Sequence, residues 1–461
     1  MKRYIISCLL SVIVATGLSC KKDFLEKRPD KAIVVPEKAE DLQALLDNLS
    51  VMNLTPFYQV VGSDDLKISD AGFLALSKSL RNAYTWQENT FEGLTLTEDW
   101  LYPYRQVFYS NIVLDALKNK PEDGIYKLLK GQALFFRAHA VFQLSQVFAQ
   151  PYRAATAVSV PGIPYPLSSD VNLRPGRKTL SFTYDQMLTD LETATQLLDN
   201  TSVIKSRPSK VAALALTARI QLIMSDFKKA DKFAADALLI NPELIDYNTL
   251  TARITSGSHP FPVVLPSGNV EVLFYTALPT NGYLISSTTS ATVADPLLFS
   301  SYNDNDLRRP IFYVQRSDGR INFKGSYSGS ITGSTFFAGL ATDELYLIRA
   351  ECHARQNNVP AAMELLNGLM IKRWLKGSFV PFTASTSEEA LKLILTERRK
   401  ELVTRGLRWS DLRRLNLEPA LAVDLTRTVN GSTFTLEAGH SRYVLPIPNE
   451  EIAGSGIEQN Y

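Results

Sequence analysis

The sequence RNAYTWQENTFEG, residues 81–93, sets Tyr84, Trp86 and Phe91 among polar side chains within an irregular stretch between Val61 and Trp100. Rings on such a stretch can lie flat against a ligand face, which is recognition rather than bond cleavage. A second irregular region runs from Thr251 to about Gly339, rich in Ser, Thr, Gly and Pro, with short strand-like runs at Val270 to Tyr275 and Ile311 to Gln315. Long irregular segments mounted on a rigid scaffold are where binding residues usually sit.

Catalytic and metal chemistry find weaker footing. His139, His259, His353 and His440 are far apart in sequence, and none stands in HExxH or a comparable ligand spacing. His139 and His353 each follow shortly after an Arg-Ala pair on helical patterns, which suits packing or a backbone hydrogen bond. Asn303-Asp304-Asn305-Asp306 opens like a calcium loop, but the twelfth place from Asp304 is Gln315 and not a bidentate Glu. Gly325, Gly329 and Gly333 match no phosphate-cradling loop, no GxSxG elbow occurs, and the Glu388-Glu389 pair belongs on a solvated helix face. No cofactor and no metal are therefore expected, and no enzymatic activity. The charged run Glu397, Arg398, Arg399, Glu401, Arg405, Arg408, Asp411, Arg413 and Arg414 admits an anion site. Glu397, Arg398 and Glu401 lie within helical reach of one another, so a partly buried ion-pair network is the better expectation.

Binding residues on loops need a stiff mount, and the helical periodicity supplies one. From Asp343, Leu345, Ile348 and Cys352 fall on one face; the pattern breaks at Asn357-Asn358 and Pro360, then resumes with Met363, Leu366, Leu369 and Met370. Lys210 to Pro242 forms a second such hairpin, with Ala218, Ala230, Ala234 and Ala237 at spacings that fit the 34-residue tetratricopeptide pattern. Superposed, the two place Ala350, Ala362, Leu366 and Leu369 at the same four positions. A third copy is split: Leu128 to Phe148 is parted from Tyr184 to Leu198 by a Pro-rich insertion, Pro151 to Pro175. No such hairpin hides its apolar stripe alone, so stacking is required. The expected fold class is mainly α, a tetratricopeptide-like helical-hairpin solenoid carrying an irregular, loop-rich lobe.

Residues 1–19 read as a secretion signal: Lys2 and Arg3, an apolar run from Ile5 to Leu18, then Ser19 before Cys20. Cys20 in that setting resembles a bacterial lipobox cysteine, which becomes the acylated first residue. Loss of Lys2 and Arg3 leaves 47 basic residues against 47 acidic ones, a balance that argues against nucleic acid as a partner. Cys352 then remains as the sole unacylated cysteine, a buried small hydrophobe on a helix face. The charged segment KKDFLEKRPDKAIVVPEKAE suits a tether, and Glu40 to Leu49 reads as the first helix.

In this order the segments DFLEKRP, YRQVFYSNIVLDAL, GQALFFRAHAVFQLSQVF before Pro151-Tyr152, NDNDLRR, DELYLIRAECHARQ, TERRKELVTRGLRWSDLRR and YVLPIPNEEI make a chain that resembles the SusD/RagB family of outer-membrane nutrient-binding lipoproteins. The resemblance implies a signal peptide at 1–19, a surface tether at 20–40, an N-terminal SusD-like region at 41–250, a loop-rich ligand lobe at 251–340 and a C-terminal RagB/SusD region at 341–461. It implies a palmitate-bearing, surface-exposed protein of the cell outer membrane. Such a protein captures oligosaccharide and passes it to a SusC-like TonB-dependent barrel; peptide capture is the alternative within the same family. A surface assembly adaptor without a small ligand is a third reading, and a hydrolase the remotest.

A sugar offers a face of C–H groups and a rim of hydroxyls. Rings cover the first, while Asn, Asp and Arg answer the second. On that chemistry Tyr84 and Trp86 form one expected platform, Arg81 and Asn89 its polar contacts, with Tyr283 and Phe336 opposite. Trp100, Trp374 and Trp409 are assigned to packing.

Overall fold

The computed structural model describes residues 36–94, 96–256, 259–279, 289–329 and 336–460. Cys20 and Tyr283 lie outside the described residues. Among the described residues the α-helices of eight or more residues are α1 (Ala39–Leu46), α2 (Glu98–Ala116), α3 (Gly124–Phe148), α4 (Leu180–Leu197), α5 (Lys210–Ile223), α6 (Phe227–Ile240), α7 (Thr342–Arg355), α8 (Val359–Met370), α9 (Ser387–Glu401) and α10 (Arg408–Leu415). None of the described helices is long and apolar enough to cross a membrane.

The long helices pack in chain order: α2 on α3, α3 on α4, α4 on α5, α5 on α6, α6 on α7, and α7 on both α8 and α9. α3 and α5 are buried nearly all round, as helices at the centre of a stack must be. α6 hides only Ala230, Ala234, Ala237 and Leu238, a stripe of mainly small side chains. The four superposed positions of the two hairpins, Ala218 with Ala350, Ala230 with Ala362, Ala234 with Leu366 and Ala237 with Leu369, are all fully buried.

The turns of the two hairpins agree as well. Ser225 and Asn357 both take left-handed backbone, with φ of 62° and 59°, and close α5 and α7. The next residue in each case caps the following helix: the Asp226 side chain accepts from Lys229 N at 3.1 Å, and that of Asn358 from Ala361 N at 3.4 Å. Thr386 and Glu389 form a reciprocal capping box on α9.

Among the described residues the strands form four antiparallel pairs: β1 (Leu66–Ile68) with β3 (Thr292–Ala294), β2 (Val272–Phe274) with β6 (Leu340–Ala341), β4 (Tyr313–Gln315) with β5 (Ile321–Phe323), and β7 (Leu425–Val429) with β8 (Ser432–Leu436). The expected strand Ile311 to Gln315 keeps only its last three residues, because Arg308–Phe312 is a short helix that pulls Arg308 inward. Residues 39–461 make one compact unit, and aromatics of the loop-rich segment, Phe274, Phe323, Tyr327, Phe336 and Phe337, belong to its main core.

Ion pairs run through that core. Arg373 donates to Glu271 and to Glu401, Arg308 to Asp306, Glu397 and Glu401, and Arg405 to Asp343 through two bonds of 2.9 and 2.7 Å. Farther along, Arg398 holds Asp411, and Arg414 holds both Asp411 and Glu351. These side chains are buried, so each charge is tolerable only because its partner and further hydrogen bonds replace water. The network stitches α7, α9 and α10 to the loop-rich segment.

Candidate ligand-binding groove

The groove begins with a hairpin. In β7 the alternation of Leu425, Arg427 and Val429 inward with Thr426 and Thr428 outward puts one cation on the buried face. The chain reverses at Asn430-Gly431, with φ of 50° and 74°, the pair favoured where both turn residues need positive φ. Arg427 thus enters the body of the protein and donates to the carbonyls of Val61, Gly62, Ser63 and Tyr84. Its guanidinium lies 4.0 Å from the centroid of the Tyr84 ring and 4.4 Å from that of Trp86. Burial, with no carboxylate bonded to it, lowers the Arg427 pKa to about 10.

Trp86 is held as firmly. Its φ of 52° is unusual for a bulky residue, and such strain persists only where the surroundings over-determine it. Here Trp86 Nε1 donates to Gly62 O at 2.9 Å, and Arg442 donates to the Trp86 carbonyl at 2.9 Å. On the other side of Gly62 a Cβ would stand 3.0 Å from the Trp409 ring, tight enough that the ring would have to shift.

Above this floor opens a cavity of about 530 Å³, lined by Tyr84, Trp86 and Arg427, by the charged Asp64, Lys67, Asp295, Arg399 and Asp424, and by Leu297 and Val423. A second cavity of about 280 Å³ shares Leu297, Arg399 and Val423 with it, so the two form one continuous groove. Leu297 is 78% exposed and Val423 45%, an apolar rim open to solvent. Arg408 holds Asp64 through bonds of 2.6 and 2.9 Å, and Arg399 bridges Asp64 at 3.0 Å and Asp295 at 2.8 Å. Burial works against the Asp64 charge, but Arg408 and Arg399 outweigh it and hold the carboxyl down at about 2. Asp65, pushed up to about 6 by burial and by Asp64, is turned away and accepts from Thr404 N at 3.0 Å. The groove therefore presents fixed carboxylates, cations and an apolar rim. No cluster of metal ligands occurs among the described residues.

Comparison with known proteins shows the family. A family model described as "Starch-binding associating with outer membrane" matches residues 23–222, and one described as "SusD family" matches residues 342–461. The chain belongs to the SusD/RagB family. Similar folds include a SusD superfamily protein from Bacteroides thetaiotaomicron, at TM-score 0.74 and 21% identity over 92% of this chain and 100% of that one. A SusD superfamily protein from Bacteroides vulgatus follows at TM-score 0.73 and 21% identity, covering 92% and 99% of the two chains. A SusD-like carbohydrate binding protein from the same organism aligns at TM-score 0.70 and 19% identity over 91% and 97%. Among curated proteins none matches.

In this SusD/RagB protein the expected site residues separate. Tyr84 and Trp86 do meet at the groove, but they are only 1% and 3% exposed, and Arg427 stacks on both rings. The expectation of an open ring platform is corrected on this point: the rings are the floor beneath Arg427. The Tyr84 hydroxyl accepts from Ile68 N at 2.9 Å and so ties the floor to β1. Phe336 is likewise buried and packs on Phe323 with 5.7 Å between centroids, so it is core and not an opposite wall. Arg81 and Asn89 do not line the groove; Arg81 is half-buried and Asn89 exposed. Trp100 and Trp409 are buried, and Trp374 packs with Phe379 and Phe382. Sequence reasoning missed Arg427, Asp64, Lys67, Asp295 and Asp424, and it named Arg399 only within the charged run after Glu397. The Asn430-Gly431 pair between alternating residues was the available signal for the hairpin that carries Arg427; that it docks on residues 61–86 was not local information.

Proposed function

We propose that the groove captures a neutral oligosaccharide and that the protein passes it to a SusC-like TonB-dependent barrel, from an outer membrane to which acyl chains on Cys20 anchor it. The observation that supports this most is the combination of exposed Leu297 and Val423 with Lys67, Arg399, Asp295 and Asp424 around one groove. Apolar rim atoms suit the C–H face of a pyranose, and donors and acceptors interleaved at the wall suit its hydroxyls. A ligand of strong net charge would meet like charges as well as opposite ones along the wall, so a neutral chain fits best.

Arg81, Asn89 and Tyr283 remain proposed contacts beyond the groove floor. With a few hydrogen bonds and shallow apolar contact, binding in the micromolar to millimolar range is expected, about −8 to −4 kcal/mol. Affinity electrophoresis against neutral plant, fungal and host polysaccharides tests the reading; retardation by at least one is expected, and retardation by none contradicts it. Peptide capture is the second reading, motivated by the carboxylates and cations of the wall. A peptide library pulldown that depends on Lys67 and returns no polysaccharide binding would favour it.

A further inference from the structure

We infer that the Pro-rich insertion and the start of α4 build a second binding site, which takes a small molecule with an apolar body and one carboxylate, an aliphatic or aryl monocarboxylate. The pocket has a volume of about 390 Å³ and is lined chiefly by Tyr165, Leu167, Leu173, Arg174, Lys178 and Phe182. That volume falls within the range of small-ligand sites. It shares no lining residue with the groove.

Side chains from elsewhere fasten both stretches of the insertion that form the pocket. Residues 164–169 are tied to α2: the Tyr104 hydroxyl donates to Pro164 O at 2.9 Å, Asn111 Nδ2 to Pro166 O at 2.9 Å, and Ser169 N to Asp115 at 2.7 Å. Residues 174–177 are tied to the C-terminal segment, since Arg174 donates to Gly454 O and Arg177 to Glu458 O, and Arg177 also donates to Gly162 O at 2.8 Å. A pocket held in this way spends little entropy when it is filled. Its chemistry is one-sided. Leu167 is 50% exposed and Leu173 62%, apolar surface open to solvent. Lys178 is exposed, and its Nζ stands 4.2 Å from the centroid of the Phe182 ring, so a cation lies against an apolar wall. No lining residue is acidic, and among the described residues neither Lys178 nor Arg174 forms an ion pair. The two lining hydroxyls are already engaged, Tyr165 donating to Asp190 at 2.8 Å and Ser168 accepting from Asp170 N at 3.2 Å. A sugar would find few partners here for its rim of hydroxyls, whereas an apolar carboxylate meets aliphatic surface with its body and Lys178 with its head.

The test is calorimetric titration of the full chain with sodium octanoate and sodium 3-phenylpropanoate at constant ionic strength. Octan-1-ol and 3-phenylpropan-1-ol keep the body without the charge, and sodium acetate keeps the head without the body. Saturable one-to-one binding of at least one of the two carboxylates is expected, about tenfold or more tighter than its alcohol and than acetate. Leu173→Asp should weaken it about tenfold or more, and Lys178→Glu should bring the carboxylate down to the affinity of its alcohol, while Lys67→Ala in the groove leaves it unchanged. Leu173 and Lys178 are exposed, so neither variant should lower the unliganded melting temperature. Absence of saturable binding with both carboxylates overturns the site, as does an alcohol that binds wild type as tightly as its carboxylate, or wild-type affinity in Leu173→Asp. Loss of binding in Lys67→Ala would place the ligand in the groove and overturn it equally, whatever the outcome with polysaccharides.

Discussion

Arg427 stacks on Trp86 at 4.4 Å, two residues separated by most of the chain and joined by nothing between them in sequence. Since the same guanidinium serves four carbonyls, Arg427→Ala leaves buried acceptors unsatisfied and should cost about 3 kcal/mol or more in chemical denaturation. Arg427→Lys should not restore it, because an ammonium lacks the planar fork that reaches several carbonyls while stacking on rings. Full stability in Arg427→Lys would mean that the cation alone matters.

Lys67 provides the opposite case. Its side chain is exposed on β1 and lines the groove, so Lys67→Ala should change stability by no more than about 0.5 kcal/mol while weakening ligand retention. The pair of variants separates residues that build the floor from residues that touch cargo.

How far the fold was legible follows from these two residues. The hairpins could be read because helical periodicity, the Asx caps and the small residues at 218, 230, 350 and 362 are local, and their stacking needed only that each stripe be covered. Tyr84 and Trp86 could be read as rings on an irregular stretch near a site, but their burial was decided by Arg427, which arrives from a distant hairpin. The charged run after Glu397 was recognisable as an ion-pair network. Its partners Glu271, Arg308, Asp343 and Arg373 were not, since nothing local assigns them.

Arg373 is the sharpest test of that network. It joins Glu271 on the segment before β2 to Glu401 at the end of α9, all three fully buried. Arg373→Met removes the cation between two carboxyls and should destabilise by about 3–5 kcal/mol, measured by urea denaturation. A loss near zero would show that Glu271 and Glu401 take up protons and tolerate one another.

The two hairpins make a packing prediction. Ala234 and Leu366 occupy equivalent, fully buried positions, one filled by a small side chain and the other by a large one. Ala234→Leu should therefore overpack and cost about 1–3 kcal/mol, whereas Leu366→Ala opens a cavity at a cost of about 2–5 kcal/mol.

Stability should pass through a maximum in mildly acid solution. Asp64 and Asp411, opposed by burial but held down at about 2 by Arg408, Arg398 and Arg414, contribute stability that is present above the ordinary carboxylate range near 4 and lost as pH falls toward 2. Asp99, pushed up to about 7 by burial against the N–H groups of Phe57 and Tyr58, acts the other way. Its contribution is present below about 4 and lost as pH rises through 7. Melting temperatures between pH 2 and 8 should fall on both sides, and Asp99→Asn should flatten the neutral limb only.

The groove beside Arg427 is proposed to hold a neutral sugar chain. Affinity electrophoresis of wild type and Leu297→Asp on a panel of neutral polysaccharides tests it most directly, because Leu297 is 78% exposed and its replacement leaves the core intact. Retardation of wild type by at least one polysaccharide, abolished in Leu297→Asp at unchanged melting temperature, is the predicted result; equal retardation of both proteins, or retardation of neither, contradicts it.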